Sequence, residues 1–421
     1  MSRAASPLPR ATSPAALEWK KRADQWLGVP AGALLATGRA VARGVSRLLG
    51  RPAAPRTPPD DVRHVVVAKL WGIGNLAMVL PLVAAVRRRH PAARITFLTL
   101  ERNRALLAGQ PALDALVTVR DHGIGAPLLD LWRAARRLSR EEVDLFVDCE
   151  QFLTAAGLVG RLAGARFTVG FATPRQRRPG LHDRTVPCTG DRHMALGFAA
   201  LFAAAGVPTE GVASHEIALE PDAVRAVAQR FAATLPRPWV VLHPGSGDNF
   251  PGRRWPQERF AALGARVTAE FGGTLFVSGG SAEAPLVDEL VATLAGHGVA
   301  ATPLAGTLRL PELVAFLARA DLVVSNDTGP VHLAAAVRTP VVAFYGPNSP
   351  RLYGPLGDGH HALYRPLPCS PCLTNQNGKS SRCELPLCIR RIAVDEAWQA
   401  VRAQLRLRHA PHVDALRTAP R

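Results

Sequence analysis

From residue 65 the chain alternates short apolar runs with longer amphipathic stretches. Runs at 65–70, 95–100, 145–149 and 168–171 predict buried strands, and 76–89, 128–138, 152–162 and 194–205 carry helical spacing. The alternation restarts after Pro208, with a helix over 221–235, strands at 240–243, 275–278, 322–325 and 341–344, and helices over 256–271, 284–295, 310–318 and 331–337. Strands that are apolar throughout and alternate with helices predict parallel sheets covered on both faces. The chain therefore reads as α/β, with two Rossmann-like, doubly wound domains over 64–208 and 209–390 facing a cleft, then a C-terminal helix and tail over 391–421. Ligands of such folds sit beyond the carboxyl ends of strands, so residues that follow strands are the ones to examine.

Residues 1–63 differ: they are rich in Ala, Arg, Pro and Ser and end in the turn-prone run 56–61. Within them, 34–49 winds into a helix with Arg39, Arg43 and Arg47 on one stripe and Val41, Val45, Leu48 and Leu49 roughly opposite. Two readings stand equally: the helix lies on an anionic membrane surface, or it packs on the protein's own body, since Gly38 and Gly44 weaken it in isolation. The whole chain of 421 residues carries 51 Lys and Arg against 33 Asp and Glu, a formal +18, which suits an anionic partner. Nucleic acid would satisfy that charge, but no aromatic stacking platform or helix-turn-helix pattern accompanies it, so none is expected. At 48% apolar the chain can bury real cores, and no run approaches the ~18–20 apolar residues of a membrane span. The expected location is cytoplasmic, peripheral at the inner face of the membrane.

Three strand ends carry candidate chemistry. Asp327-Thr328-Gly329-Pro330-Val331-His332 opens a helix after a strand: Asp327 or Thr328 can cap, Pro330 gives up an N–H the helix does not use, and the remaining N–H groups suit a phosphate. His243-Pro244-Gly245-Ser246-Gly247 is a small-residue turn followed by Arg253, Arg254 and Trp255, so backbone N–H groups and guanidinium groups can converge on an anion. Gly72-Ile73-Gly74-Asn75 makes a tight strand-to-helix turn in the first domain.

With Leu80-Pro81, Phe146-Val147-Asp148, Ser278-Gly279-Gly280 with Glu283, and the Asn326-to-Ala336 run, these pieces resemble the ADP-heptose:lipopolysaccharide heptosyltransferases of glycosyltransferase family nine, from about residue 65 to 401. The resemblance implies a GT-B architecture and an inverting, metal-independent transfer from a nucleotide sugar of ADP-heptose type, held mainly by the C-terminal domain, to a lipopolysaccharide or lipid-linked acceptor. It implies that Arg253, where the family usually has Lys, stabilises the departing diphosphate. It also implies that His243, Gly245, Ser246, Arg254, Glu283, Asp327, Thr328, Gly329 and His332 form the donor site. The family's expected general base is an Asp at the position of Asn75, and an amide cannot accept the proton. Either the base has moved to Asp148 or Glu150, or Asn75 only orients the acceptor, or the chain is a catalytically weak nucleotide-sugar-binding module. A further alternative is a protein heptosyltransferase of the autotransporter type.

The segment 173–184 places Arg175, Arg177 and Arg178 after the last predicted strand of the first domain, as acceptor-binding candidates or as a solvated basic loop. Cys369, Cys372, Cys383 and Cys388 fall within twenty residues near the end. Four thiols at this spacing predict a closed structural metal site, zinc or iron; disulfides and unpaired thiols are the alternatives, and the resemblance implies that catalysis itself needs no cofactor.

Overall fold

The computed structural model describes residues 57–409 apart from 123–124, 175, 177, 179, 211–216, 232–234 and 248–249. The predicted helix at 34–49, Arg175 and Arg177 lie outside the described residues. Two compact units emerge, 57–218 with Leu373–Ser380, and Leu219–Cys372 with 381–409.

The first unit runs β1 (His64–Ala68), α1 (Ile73–Arg89), β2 (Arg94–Leu100), α2 (Arg104–Leu107), β3 (Ala115–Val119), α3 (Ala126–Arg140), β4 (Leu145–Asp148), α4 (Ala155–Leu162), β5 (Phe167–Ala172), β6 (Arg184–Pro187) and α5 (Met194–Ala204). Its sheet is wholly parallel in the order β3-β2-β1-β4-β5-β6. The second unit runs α6 (Pro221–Arg230), β7 (Trp239–His243), α7 (Gln257–Phe271), β8 (Thr274–Val277), α8 (Ala284–Gly296), β9 (Ala301–Pro303), α9 (Leu310–Arg319), β10 (Leu322–Asn326), α10 (Gly329–Ala336), β11 (Val341–Tyr345), α11 (Pro350–Tyr353), β12 (His360–Tyr364), α12 (Leu387–Arg390) and α13 (Val394–His409). Its parallel order, β12-β11-β10-β7-β8-β9, repeats that of the first sheet read from the other end. Both are Rossmann-like α/β sheets, the pair that makes up a GT-B protein.

In each sheet the strand order reverses between the first and fourth strands, at β1/β4 and at β7/β10, and the crevice beyond those strand ends is where a ligand is expected. The four strands on either side of these points are buried throughout, which is why an apolar run revealed them. The sequence pattern missed β3, β6, β9 and β12, which stand at or near the sheet edges and are half solvated, so their runs are broken by polar residues.

An aspartate just before the fourth strand fixes the entry to each sheet. Asp144 accepts from the N–H of Arg63 at 2.8 Å and of His64 at 3.0 Å and pairs with Arg166. Asp321 accepts from the N–H of Trp239 at 2.8 Å and pairs with Arg237. In the second core Trp255 stacks on Phe344 at 4.2 Å and donates its indole N–H to the Ile392 carbonyl at 2.9 Å. That anchorage sets the two arginines preceding Trp255 at the end of β7 and β10.

Candidate active site

The second unit gathers most of the predicted donor residues at its switch point. Asn326, the last residue of β10, is the hub: its side-chain N–H groups donate to the carbonyls of Pro244 at 2.7 Å and Gly245 at 3.2 Å, and its oxygen accepts from the N–H of Trp255 at 2.8 Å. One buried amide thus joins the turn after β7, the arginine segment and the start of α10. Arg253 lies between these segments with 15% of its side chain exposed. It donates to the carbonyl of Asp327 at 2.8 Å and to the carbonyl of Ser246, while the Asp327 carboxylate stands 3.9 Å away. Burial lowers its pKa from the ordinary arginine value, and Asp327 opposes that shift. Its Nε–H is buried with no hydrogen-bond partner among the described residues. A buried cation with an unspent donor is a ready place for an anion.

The start of α10 adds to this. Thr328 takes the N-cap position without a side-chain capping bond, contrary to the expected cap, so the first-turn N–H groups of α10 are not held by it. Pro330 is in the first turn as expected, and His332 is buried within the helix. Asp327 is buried and accepts from Asn348 Nδ2 at 2.9 Å. Asn348 follows β11 and escaped sequence reasoning, as did the role of Asn326, because a lone amide in a loop carries no pattern.

Glu283 closes the other side. Its carboxylate accepts from the N–H groups of Gly247 at 3.1 Å and Gly280 at 3.0 Å, and lies 4.0 Å from His243 Nε2. Burial pushes Glu283 up, but His243 and the two backbone donors outweigh it and hold the carboxyl below its ordinary value. Burial lowers the His243 pKa, against the pull of Glu283, and its Nδ1 sits 3.0 Å from Ser278 Oγ. A Cβ at Gly245 would lie 2.2 Å from Glu283 Oε1, so only glycine lets the carboxylate sit there. Arg254 donates through Nε to Ser246 Oγ at 3.2 Å.

In the first unit, Asn75 sits in the first turn of α1, half exposed, over Gly72, whose φ of 87° suits glycine. The two carboxylates proposed as substitute bases are corrected by their surroundings. Glu150 is fully buried: it accepts from Lys69 Nζ at 2.9 Å and from the N–H groups of Leu70 at 2.7 Å and Trp71 at 3.1 Å, which fixes the turn leading to Asn75. Asp148, also fully buried, pairs with Arg178 and with His182 Nε2 at 3.0 Å. Burial pushes Asp148 up, but Arg178 and His182 prevail and hold it below the usual carboxylate value. Both carboxylates are fully buried and engaged by these ion pairs, so neither is presented to an acceptor. Arg178 is corrected for the same reason: its side chain is buried against Asp148 and the carbonyls of Glu150 and Phe171, not turned to an anionic sugar.

The carboxyl edge of the same sheet holds an unforeseen group. Arg102, after β2, lies 4.8 Å over the Trp71 ring and 3.3 Å from the Asp121 carboxylate, and Asp121 lies 3.3 Å from His122 Nδ1. The His122 side chain is 62% exposed.

Cys388 is buried, Cys372 and Cys383 are half-buried and Cys369 is exposed. Ser381 Oγ lies 3.2 Å from Cys372 Sγ and accepts from the Cys383 N–H at 3.2 Å. Burial raises the Cys388 thiol, with Cys372 and Cys383 adding to the shift. Among the described residues no three His, Cys, Asp or Glu side chains are drawn together as a formed metal site. The Cys372 N–H donates to the Pro347 carbonyl at 2.9 Å, beside Asn348.

The model of the family described as glycosyltransferase family 9 (heptosyltransferase) matches residues 131–381, more than half of the chain. The chain is 27% identical to lipooligosaccharide heptosyltransferase 2 of Haemophilus ducreyi over 311 residues, covering 70% of this chain and 86% of that protein. It is 26% identical to lipopolysaccharide heptosyltransferase 1 of Pseudomonas aeruginosa over 355 residues, covering 78% and 94%. The fold matches that of the E. coli ADP-heptose lps heptosyltransferase II with a TM-score of 0.66 at 21% identity, over 83% of this chain and all of that one. The chain, with its two Rossmann-like units and its arginine-lined switch point, belongs to glycosyltransferase family 9 and is a glycosyltransferase.

Proposed function

We propose that the protein transfers a heptose-type sugar from an ADP-heptose-type donor to an anionic, lipid-linked glycan of the lipopolysaccharide core, with inversion and without a catalytic metal. The observation that carries this reading is the buried Arg253, with its unspent Nε–H, beside the uncapped start of α10. The donor diphosphate sits on that guanidinium and the N–H groups of Thr328 and Gly329; Glu283 and Asp327 hold sugar or ribose hydroxyls. The acceptor oxygen attacks the anomeric carbon, the bond to the β-phosphate oxygen breaks, and the electron pair leaves on the diphosphate, where a fixed cation and helix N–H groups stabilise it.

Asn75 orients the acceptor hydroxyl. With Asp148 and Glu150 consumed by ion pairs, the proton goes to His122, whose Nδ1 faces Asp121 and whose ring is exposed. An aspartate holding one ring nitrogen leaves the other to act as base. The lipid-linked acceptor draws support from the formal +18 and from the relatives' names, and the same features favour a peripheral place on the cytoplasmic face of the membrane. The soft, four-thiol set of 369–388 suits a structural zinc or iron held by Cys369, Cys372, Cys383 and Cys388, bracing the loop that carries Asn348.

The test is transfer by the purified full chain from ADP-heptose to a core acceptor. His122→Gln is expected to lower kcat by about 10²–10⁴-fold with the donor KM unchanged. Asn75→Asp is expected to change the rate by less than about tenfold. A gain of orders of magnitude in Asn75→Asp would show that the native chain lacks a working base. Metal analysis of the native chain against Cys388→Ser tests the structural ion.

A further inference from the structure

Helix α3 has a surface that the transfer site leaves unused. Its inner stripe, Ala134, Ala135 and Leu138, is buried in the core of the first unit. Its outer face carries Leu128, Leu129 and Trp132 with 54%, 43% and 51% of their surface exposed, a cost that a surface helix in water ordinarily avoids. Residues four apart share a row on a helix. One row reads Leu128, Trp132, Arg136, Arg140, and the next reads Leu129, Arg133, Arg137. Each row is apolar at the start of the helix and basic toward its end. The Arg136 guanidinium lies 5.3 Å over the Trp132 ring. The one acid on α3, Asp130, is bound by Arg120 at 2.7 Å and by Arg133 at 3.5 Å, which hold its carboxyl down to about 2, and Arg137 pairs with Glu141 at 2.9 Å, so among the described residues the uncompensated basic charge on this face is that of Arg136 and Arg140.

We infer that this face of α3 docks on an anionic phospholipid bilayer, with Leu128, Leu129 and Trp132 at the acyl boundary and Arg136 and Arg140 on lipid phosphates. Tryptophan, with an apolar ring and a polar N–H, is suited to that boundary, and arginine to phosphate. A second copy of the chain on this face would set like-charged rows against each other, whereas anionic headgroups complement them. Position supports the assignment as well. Because α3 follows β3 in a parallel sheet, its apolar start lies at the carboxyl edge of that sheet, the edge that also carries Asn75 and His122. A lipid-linked acceptor in the bilayer would then present its sugar to the same edge of the first unit. The inference rests on the lipid-linked acceptor proposed above, but it is tested without donor or acceptor, so either can fail alone.

The experiment is flotation of the full chain with vesicles of phosphatidylcholine, alone or mixed with phosphatidylglycerol. On mixed vesicles the native chain is expected to float, and the combined Arg136→Gln, Arg140→Gln variant to lose about fivefold in partition per arginine. The combined Leu128→Ser, Leu129→Ser, Trp132→Ser variant is expected to lose at least about tenfold, since it removes most of the apolar surface. Lipids brominated on their acyl chains should quench a part of the native fluorescence that Trp132→Phe lacks. Melting temperature and ADP affinity, unchanged in every variant, show that the fold is intact. Native-like flotation of both combined variants, equal quenching of Trp132→Phe, or a native dimer that the apolar variant dissociates would overturn the proposal.

Discussion

Replacing Arg253 probes the donor site most directly. Arg253→Ala removes the donors to the carbonyls of Asp327 and Ser246 and the buried Nε–H that has no hydrogen-bond partner among the described residues. A hydrogen bond to a charged group contributes about 1.5–3 kcal/mol, so loss of the diphosphate contact is expected to weaken ADP about 10–150-fold. The leaving diphosphate gains charge as the glycosidic bond breaks, so the effect on kcat is larger: a preorganised donor to such charge is worth about 2.7–4 kcal/mol, or about 10²–10³-fold. The two carbonyls left without partners cost the fold about 1–3 kcal/mol each at most, since water can reach the emptied space. Arg253→Lys keeps the charge but cannot span both carbonyls, and is expected to fall between native and Ala. Calorimetric titration with ADP, steady-state transfer kinetics and thermal melting separate these effects. Native ADP affinity together with a kcat within about threefold of native in a folded Arg253→Ala protein would refute the reasoning.

Gly245→Ala brings a Cβ to 2.2 Å from Glu283 Oε1 and must displace the carboxylate from the N–H groups of Gly247 and Gly280; donor KM is expected to rise about tenfold or more, read by initial rates. Asp148→Asn leaves Arg178 without its buried partner and is expected to cost about 3–5 kcal/mol in urea unfolding, a loss that a solvent-exposed catalytic base would not show. Burial holds His182 and His243 below the ordinary histidine value, so on acidification the unfolded chain takes up protons first. Stability is therefore full above about pH 6.5 and falls as the pH drops through their depressed folded values; Asp148 and Glu283, also depressed, extend the loss below about pH 4. The urea midpoint against pH measures this, and a flat profile from about pH 7 to 4 would contradict it.

Much of the molecule is written locally in the chain. The buried strands beside each switch point and the turns after β1, β7 and β10 follow from apolar runs and small-residue turns. These signals concern neighbours in sequence, and periodicity reports them. The tertiary structure alone decided which charges were already spent. Asp148 and Glu150 read as available acids, yet their partners Arg178, His182 and Lys69 lie 30, 34 and 81 residues away. Asn326 and Asn348 look like loop amides, but packing makes one a joint between three segments and the other a clamp on Asp327. An apolar pattern fixes which residues leave water. Whether a buried charge is satisfied or left to meet a ligand depends on groups that only folding brings within hydrogen-bond reach.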